Sequence, residues 1–96
     1  MIVNERDTPK GLLVSVCDRD VLGETFVNGE VSLTVDPDFY DGERVEADRV
    51  VESLAKAQVA NLVGVEVVDL AIEHGFVDPA QVLEIEDTKH AQFLRM

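Results

Sequence analysis

The hexapeptide Leu12 to Cys17, Leu-Leu-Val-Ser-Val-Cys, constrains the fold more than any other part of the chain. Read as a strand, it places Leu12, Val14 and Val16 on one face and Leu13, Ser15 and Cys17 on the other, because successive side chains alternate. Both faces are largely apolar, so the strand must be central in a covered sheet. Ninety-six residues then allow one core in a single domain spanning 1–96, since a chain of this size buries roughly 60 to 70% of its unfolded surface.

The flanking segments supply the rest of a sheet. Met1 to Glu5 alternates weakly, and Pro9 and Gly11 turn the chain back into Leu12, which predicts a hairpin. After Cys17, Asp18 or Asp20 is placed to cap a helical turn over Val21 to Glu24, although Gly23 shortens it. Asn28-Gly29 is a two-residue hairpin signal. Glu30 to Val35 then alternates, with Val31, Leu33 and Val35 predicted inward. Asp36 to Glu43 is loop-like, and Phe39 or Tyr40 is expected to pin it to the core.

From Ala47 the period changes. Ala47, Val50, Val51, Leu54 and Ala57 fall on one helical face, which predicts a helix over 47–60. Asn61-Leu62-Val63-Gly64 reads as an interruption before a second apolar stripe, Val67, Val68, Ala71 and Ile72, that ends at His74-Gly75. Asp78-Pro79 opens a brief helical turn, Val82 to Glu86 alternates as a strand, Asp87-Thr88 turns, and His90 to Leu94 returns as a last strand. The resulting plan is α+β, a mainly antiparallel sheet of four to five strands with two helices on one face.

Charge limits the classes of partner. Twenty acidic residues against eight basic ones give a formal charge of −12, with no Lys/Arg cluster to steer nucleic acid. Self-repulsion of this size is tolerated where salt shortens the Debye length to about 3 Å at 1 M. The composition resembles that of cytosolic proteins of extreme halophiles; the alternative is an acid face that binds a basic partner. One cysteine excludes an intrachain disulfide and the multi-cysteine zinc patterns. The acidic, apolar-poor start Met1 to Asp7 predicts a cytoplasmic protein without a signal or membrane span.

Six short motifs in order carry a family resemblance: Cys17-Asp18, Leu22-Gly23 before Phe26, Phe39-Tyr40-Asp41-Gly42-Glu43, Asn61-Leu62-Val63-Gly64, Gly75, and His90-Ala91-Gln92. Through them the chain resembles the archaeal family called domain of unknown function 424, and among its members a haloarchaeal one. Glu24 and Asp41 depart from a basic residue and a glycine that the family often has there. The resemblance implies no established activity. It implies a loose association with archaeal information-processing genes, translation factors among them.

Cys17, Asp18 and His90 are the residue types that a nucleophilic or metal site needs, since a thiolate forms where a base or cation lowers its pKa. The competing reading makes Cys17 a buried hydrophobe and His90 an exposed edge-strand residue. Asn61, Gly64, Gly23 and Tyr40 are candidates for ligand binding; Gly64 precedes a helix whose N-terminus favours anions, but Glu66 in that turn opposes one. As turn formers the glycines need no ligand, and Asn61 would satisfy backbone between helices. Asp36, Asp38, Asp41 and Glu43 lack EF-hand spacing, so no metal is expected, and no cofactor motif is present. Expectation therefore centres on a non-enzymatic module that binds a protein or RNA partner, as monomer or homodimer, with a small Cys17/Asp18/His90 enzyme or metal-binding protein and a structural dimer paired through its last strand as alternatives.

Overall fold

The computed structural model describes residues 1–95. The first half contains β1 (Ile2–Thr8), β2 (Gly11–Cys17), a 3-10 turn (Arg19–Val21), β3 (Thr25–Asn28), β4 (Val31–Thr34), α1 (Pro37–Tyr40) and β5 (Glu43–Arg44). The second half contains α2 (Ala47–Lys56), β6 (Val59–Val63), α3 (Val65–Glu73), a 3-10 turn (Pro79–Gln81), β7 (Leu83–Ile85) and β8 (Thr88–Leu94). Six strands form one sheet in the order β5-β1-β2-β6-β8-β7, and β3 and β4 form a separate two-stranded ribbon. The α+β class of the sequence reading stands, with more strands than the four to five expected and with two hydrophobic clusters, one on each face of the sheet, where one core was expected. Every pairing is antiparallel except β2 with β6.

β2 is central, as its two apolar faces require: it lies between β1 and β6, and Val14, Val16 and Cys17 have no exposed surface. Its other neighbour corrects the sequence reading. The expected helix over 47–60 ends at Lys56, and Asn61 to Gly64 is not a break between helices but mostly strand β6. The chain leaves the helix because Gln58 N–H donates to Leu12 O at 2.8 Å, which starts the parallel ladder with β2. Val59, Ala60, Leu62 and Val63 then fill the sheet centre.

Both long helices cover one face. Val50 and Leu54 from α2, Ala57 just beyond its end, and Val67, Val68 and Ala71 from α3 pack on Val3, Val14, Val16, Ala60, Leu62 and Ala91. Burying side chains of this size contributes about 1.5–3 kcal/mol each for the larger ones. The opposite face carries Ile2, Cys17, Val63 and Ile85, covered by Val21, Phe26, Val35 and Tyr40. Tyr40 thus pins the loop as expected; that loop contains α1, with Asp36 Oδ1 accepting from Asp38 N at 3.0 Å.

The inward alternation expected of Val31, Leu33 and Val35 fails at one end. Val35 is buried and Leu33 half-buried, but Val31 is 50% exposed. A ribbon of only two strands cannot cover both of its own faces, and Val31 stands at its tip, paired with Asn28. The ribbon is tied to the main sheet next to its tip, where Glu86 in the β7–β8 turn accepts from Val27 N at 2.7 Å. At the chain's end, Arg95 donates to Ala55 O at 2.7 Å and Ala57 O at 3.1 Å and lies over the Phe93 ring, closing the C-terminal end of α2. No helix among the described residues is long and apolar enough to cross a membrane.

Candidate functional site

The parallel pair β2 and β6 gives the sheet a direction, and both strands end at the same edge of the molecule. In open α/β sheets the crevice beyond the carboxyl ends of parallel strands is where ligands bind. At that end β2 runs into Asp18, and β6 runs into Gly64 and the first turn of α3.

Asp18 is 6% exposed and joins the two strand ends. Its backbone N–H donates to Val63 O at 3.0 Å. Its carboxylate accepts from Glu66 N at 2.9 Å and Val67 N at 3.0 Å, so it caps α3 from 48 residues away. The sequence offers Asp18 or Asp20 as the cap of the helical turn beside it; Asp18 stands at that N-cap position but makes no side-chain cap there. Burial pushes its carboxyl pKa up, while the two amide hydrogen bonds pull it down.

Gly64 is the counterpart of Asp18. Its backbone, at φ 128° and ψ 148°, lies where side chains are rarely tolerated. A Cβ there would stand 2.5 Å from Asp18 Oδ2 and 2.7 Å from its Cβ. The glycine makes room for the carboxylate, which occupies the amides that an anion would otherwise use. Gly23, with φ +85°, donates to Val35 O at 2.8 Å and forms a turn.

Cys17 and His90 do not form a catalytic pair. They occupy one row across the sheet, Cys17 beside Val63 and Val63 beside His90. Two strand spacings therefore separate them, roughly 9–10 Å between Cα atoms. His90 is neither exposed nor on an edge strand: β8 lies between β6 and β7, and its half-buried ring bonds Leu62 O from Nδ1 at 2.9 Å. A carbonyl only accepts, so Nδ1 carries the proton. Burial, then the neighbouring Asp18, pushes the Cys17 thiol up to about 11, away from thiolate chemistry at neutral pH. Tyr40 is 5% exposed in the same apolar cluster, its hydroxyl pushed up to about 12 by burial. Asn61 pairs with Ser15 and Gln92, two rows back from Cys17, and lies half-buried on the sheet. The four residues Cys17, Asp18, Asn61 and His90 share no cleft.

The structure instead opens a cleft of about 400 Å³ beyond the strand ends. Asp18 and the 3-10 turn that follows it, Arg19, Asp20 and Val21, line one side beside Met1; the first turn of α3 contributes Val65 and Glu66; the β7–β8 turn contributes Asp87 and the start of β8 Thr88. Thr88 is 4% exposed, and its Oγ1 has no hydrogen-bond partner. Sequence reading missed it, since Thr88 after Asp87 reads as a solvated turn; only the register Ile85 to Thr88 shows that it begins a strand. Among the described residues no group of three or more His, Cys, Asp or Glu is placed to hold a metal ion.

A family described as "Protein of unknown function (DUF424)" matches residues 5–96. No curated protein matches the chain. Among solved structures, an uncharacterized conserved protein from Methanopyrus kandleri superposes with a TM-score of 0.81 at 21% identity, over 99% of this chain and 92% of that one. At that identity the likeness bears on the fold alone.

Proposed function

This chain belongs to the DUF424 family, and on that premise we propose that it is a non-enzymatic binding module whose cleft beyond β2 and β6 engages a basic protein of the RNA- or translation-related machinery. The observation that carries the reading is the charge of the cleft. Asp18, Asp20, Glu66 and Asp87 line it against Arg19 alone among the basic side chains. Proteins that hold nucleic-acid phosphates are rich in Lys and Arg, and such a partner complements this surface; RNA itself does not. The setting in RNA or translation comes from the family resemblance, the choice of a basic protein from the charge.

Further support comes from the residues that an enzyme would have used. Asp18 serves as a helix cap, Cys17 is sealed in the core, and His90 is tied to the β6 backbone. Complementary charge across such a surface would act mainly on association rate and partner choice, and would weaken as salt rises.

The test is recovery of partners from source cells at native salt, with wild-type chain and with the double variant Glu66→Lys/Asp87→Lys. The expected result is one basic protein retained by wild type, insensitive to ribonuclease, and lost with the variant. Recovery of RNA in its place, or equal retention by the variant, would overturn the reading.

A further inference from the structure

The carboxylates of the six-stranded sheet all stand on one side of it. They belong to Glu5 and Asp7 of β1, Glu43 of β5 and Glu84 of β7. Glu5 bonds Ser53, and Glu43 pairs with Arg49 at 3.4 Å; both partners are on α2, so these two carboxylates lie on the helix-covered side. Asp7, two residues from Glu5, shares its side, and Glu84 stands beside Lys89, which reaches Asp69 of α3 at 2.8 Å. In a chain of formal charge −12, the strands present no carboxylate on the other side.

Only part of that other side is covered. Ile2, Cys17 and Val63 lie in the cluster closed by Val21, Phe26, Val35 and Tyr40. Four residues along each strand, towards the end of β2 and β6 opposite the cleft, Arg6, Leu13, Val59 and Leu94 stand in register. Leu13 and Val59 are half-buried and join neither hydrophobic cluster, and Leu94, at 64%, is the most exposed large hydrophobic among the described residues. Beside them are the half-buried Asn61 and the exposed Gln92, paired across β6 and β8. A shallow hollow of about 480 Å³ lies along Val59, Gln92, Phe93 and Leu94. The charge of this surface selects what covers it. A basic partner finds no carboxylate among these side chains to pair with. A nucleic acid needs several cations and finds Arg6 alone, which already donates to Asn4 Oδ1 at 3.2 Å and to Asp38 O and lies over the Phe39 ring. Two copies of the chain repel through every acidic surface, and they meet at least cost where neither brings a carboxylate. The surface also complements itself. A carboxamide both donates and accepts, so Asn61 and Gln92 of one copy satisfy those of another, while the leucines and Val59 meet their like. An isologous two-fold contact requires that property.

We propose that this open part of the sheet face is a contact between two copies of the chain, with Leu13, Val59 and Leu94 at its apolar centre and Asn61 and Gln92 bonding across it. It lies at the opposite end of β2 and β6 from the cleft and leaves the cleft free. Four strands about 4.8 Å apart make a surface near the lower end of specific interfaces. The dimer is accordingly weak, with a dissociation constant on the order of 0.1–1 mM.

The experiment is sedimentation equilibrium of the full chain, with amide shifts by nuclear magnetic resonance, from about 20 μM to about 2 mM at one fixed high potassium chloride concentration. The expected result is a mass that rises towards two chains, with shifts on dilution confined to Leu13, Val59–Asn61 and Gln92–Leu94. The double variant Gln92→Glu/Leu94→Glu brings two carboxylates from each copy into the contact. It should weaken association about a hundredfold or more and stay monomeric over the whole range. Both positions are exposed, so its circular dichroism spectrum should match that of wild type; should it not, Gln92→Glu alone, expected to weaken association about tenfold, decides. The charge-matched control Val31→Glu/Gln81→Glu, on exposed positions away from this face, should associate as wild type does. A wild-type chain monomeric throughout, association undiminished in a folded Gln92→Glu or Gln92→Glu/Leu94→Glu variant, equal loss with the control, or dilution shifts centred elsewhere would each overturn the proposal.

Discussion

Gly64→Ala tests the joint on which the cleft is built, and its cost has two parts. Backbone at φ 128° and ψ 148° lies in a region nearly confined to glycine, where another residue costs about 1–3 kcal/mol. The new methyl would also stand 2.5 Å from Asp18 Oδ2, so the carboxylate must move off the amides of Glu66 and Val67, and loss of such a cap costs about 1–2 kcal/mol. Together the loss is roughly 2–5 kcal/mol, in the upper range for one substitution. At about 4–8 °C per kcal/mol for a domain of this size, Tm should fall by at least about 8 °C. Urea melts at constant potassium chloride would measure Gly64→Ala, Asp18→Gly and the double variant. Asp18→Gly removes the cap and also the atoms that the methyl would strike. The double variant should therefore lose less than the sum of the singles, by about 1 kcal/mol or more. Strict additivity, or a loss below about 1 kcal/mol for Gly64→Ala, would refute the view that this glycine exists to admit the Asp18 carboxylate.

Three other outcomes follow from the same structure. Glu5 accepts from Ser53 and Arg49, and the Ser53 hydrogen bond is the main reason its carboxyl is held below the ordinary value of 4.5, against an opposing effect of burial. The unfolded chain then binds this proton more tightly, so the contribution is complete above about 4.5 and is lost as pH falls through the lower folded value; Glu5→Gln should flatten that acid limb, and an unchanged slope would contradict the assignment. Cys17, with a thiol near 11 and no exposed surface, should react with a disulfide reagent only as fast as the domain opens, and prompt labelling of the native protein would show the strand end to be accessible. Lowering potassium chloride to about 0.1 M lengthens the Debye length to about 10 Å and should loosen a chain of formal charge −12; an unchanged circular dichroism spectrum would remove the halophilic reading.

What the sequence made legible were features set by neighbours along the chain. The two apolar faces of Leu12 to Cys17 made β2 central, the 3.6-residue period located α2 and α3, and Asn28-Gly29 marked the β3–β4 hairpin, whose turn lies one residue on, at Gly29-Glu30. What it hid depended on distant residues. β6 was concealed because the apolar spacing of α2 runs into Val59 without a break, and because Asn61 and Gly64 look like breakers unless β2 is known to lie alongside. Asp18 gave no sign that its partners were Glu66 and Val67, since a cap supplied from another strand leaves no local spacing. Cys17 and His90 drew notice by residue type alone, while Thr88, whose hydroxyl is buried and unpaired, had nothing in its neighbourhood to mark it.

The central claim is that the working surface is the cleft beyond β2 and β6 and not the strand end at Cys17. It is tested most directly by comparing partner retention at one fixed salt for Glu66→Lys/Asp87→Lys, for the charge-matched control Glu30→Lys/Glu73→Lys on exposed positions outside the cleft, and for Cys17→Ser. Loss with the first and retention with the other two is the predicted result. Equal loss with both charge variants would show that net charge alone governs binding, and loss with Cys17→Ser in a folded protein would return the site to the strand end.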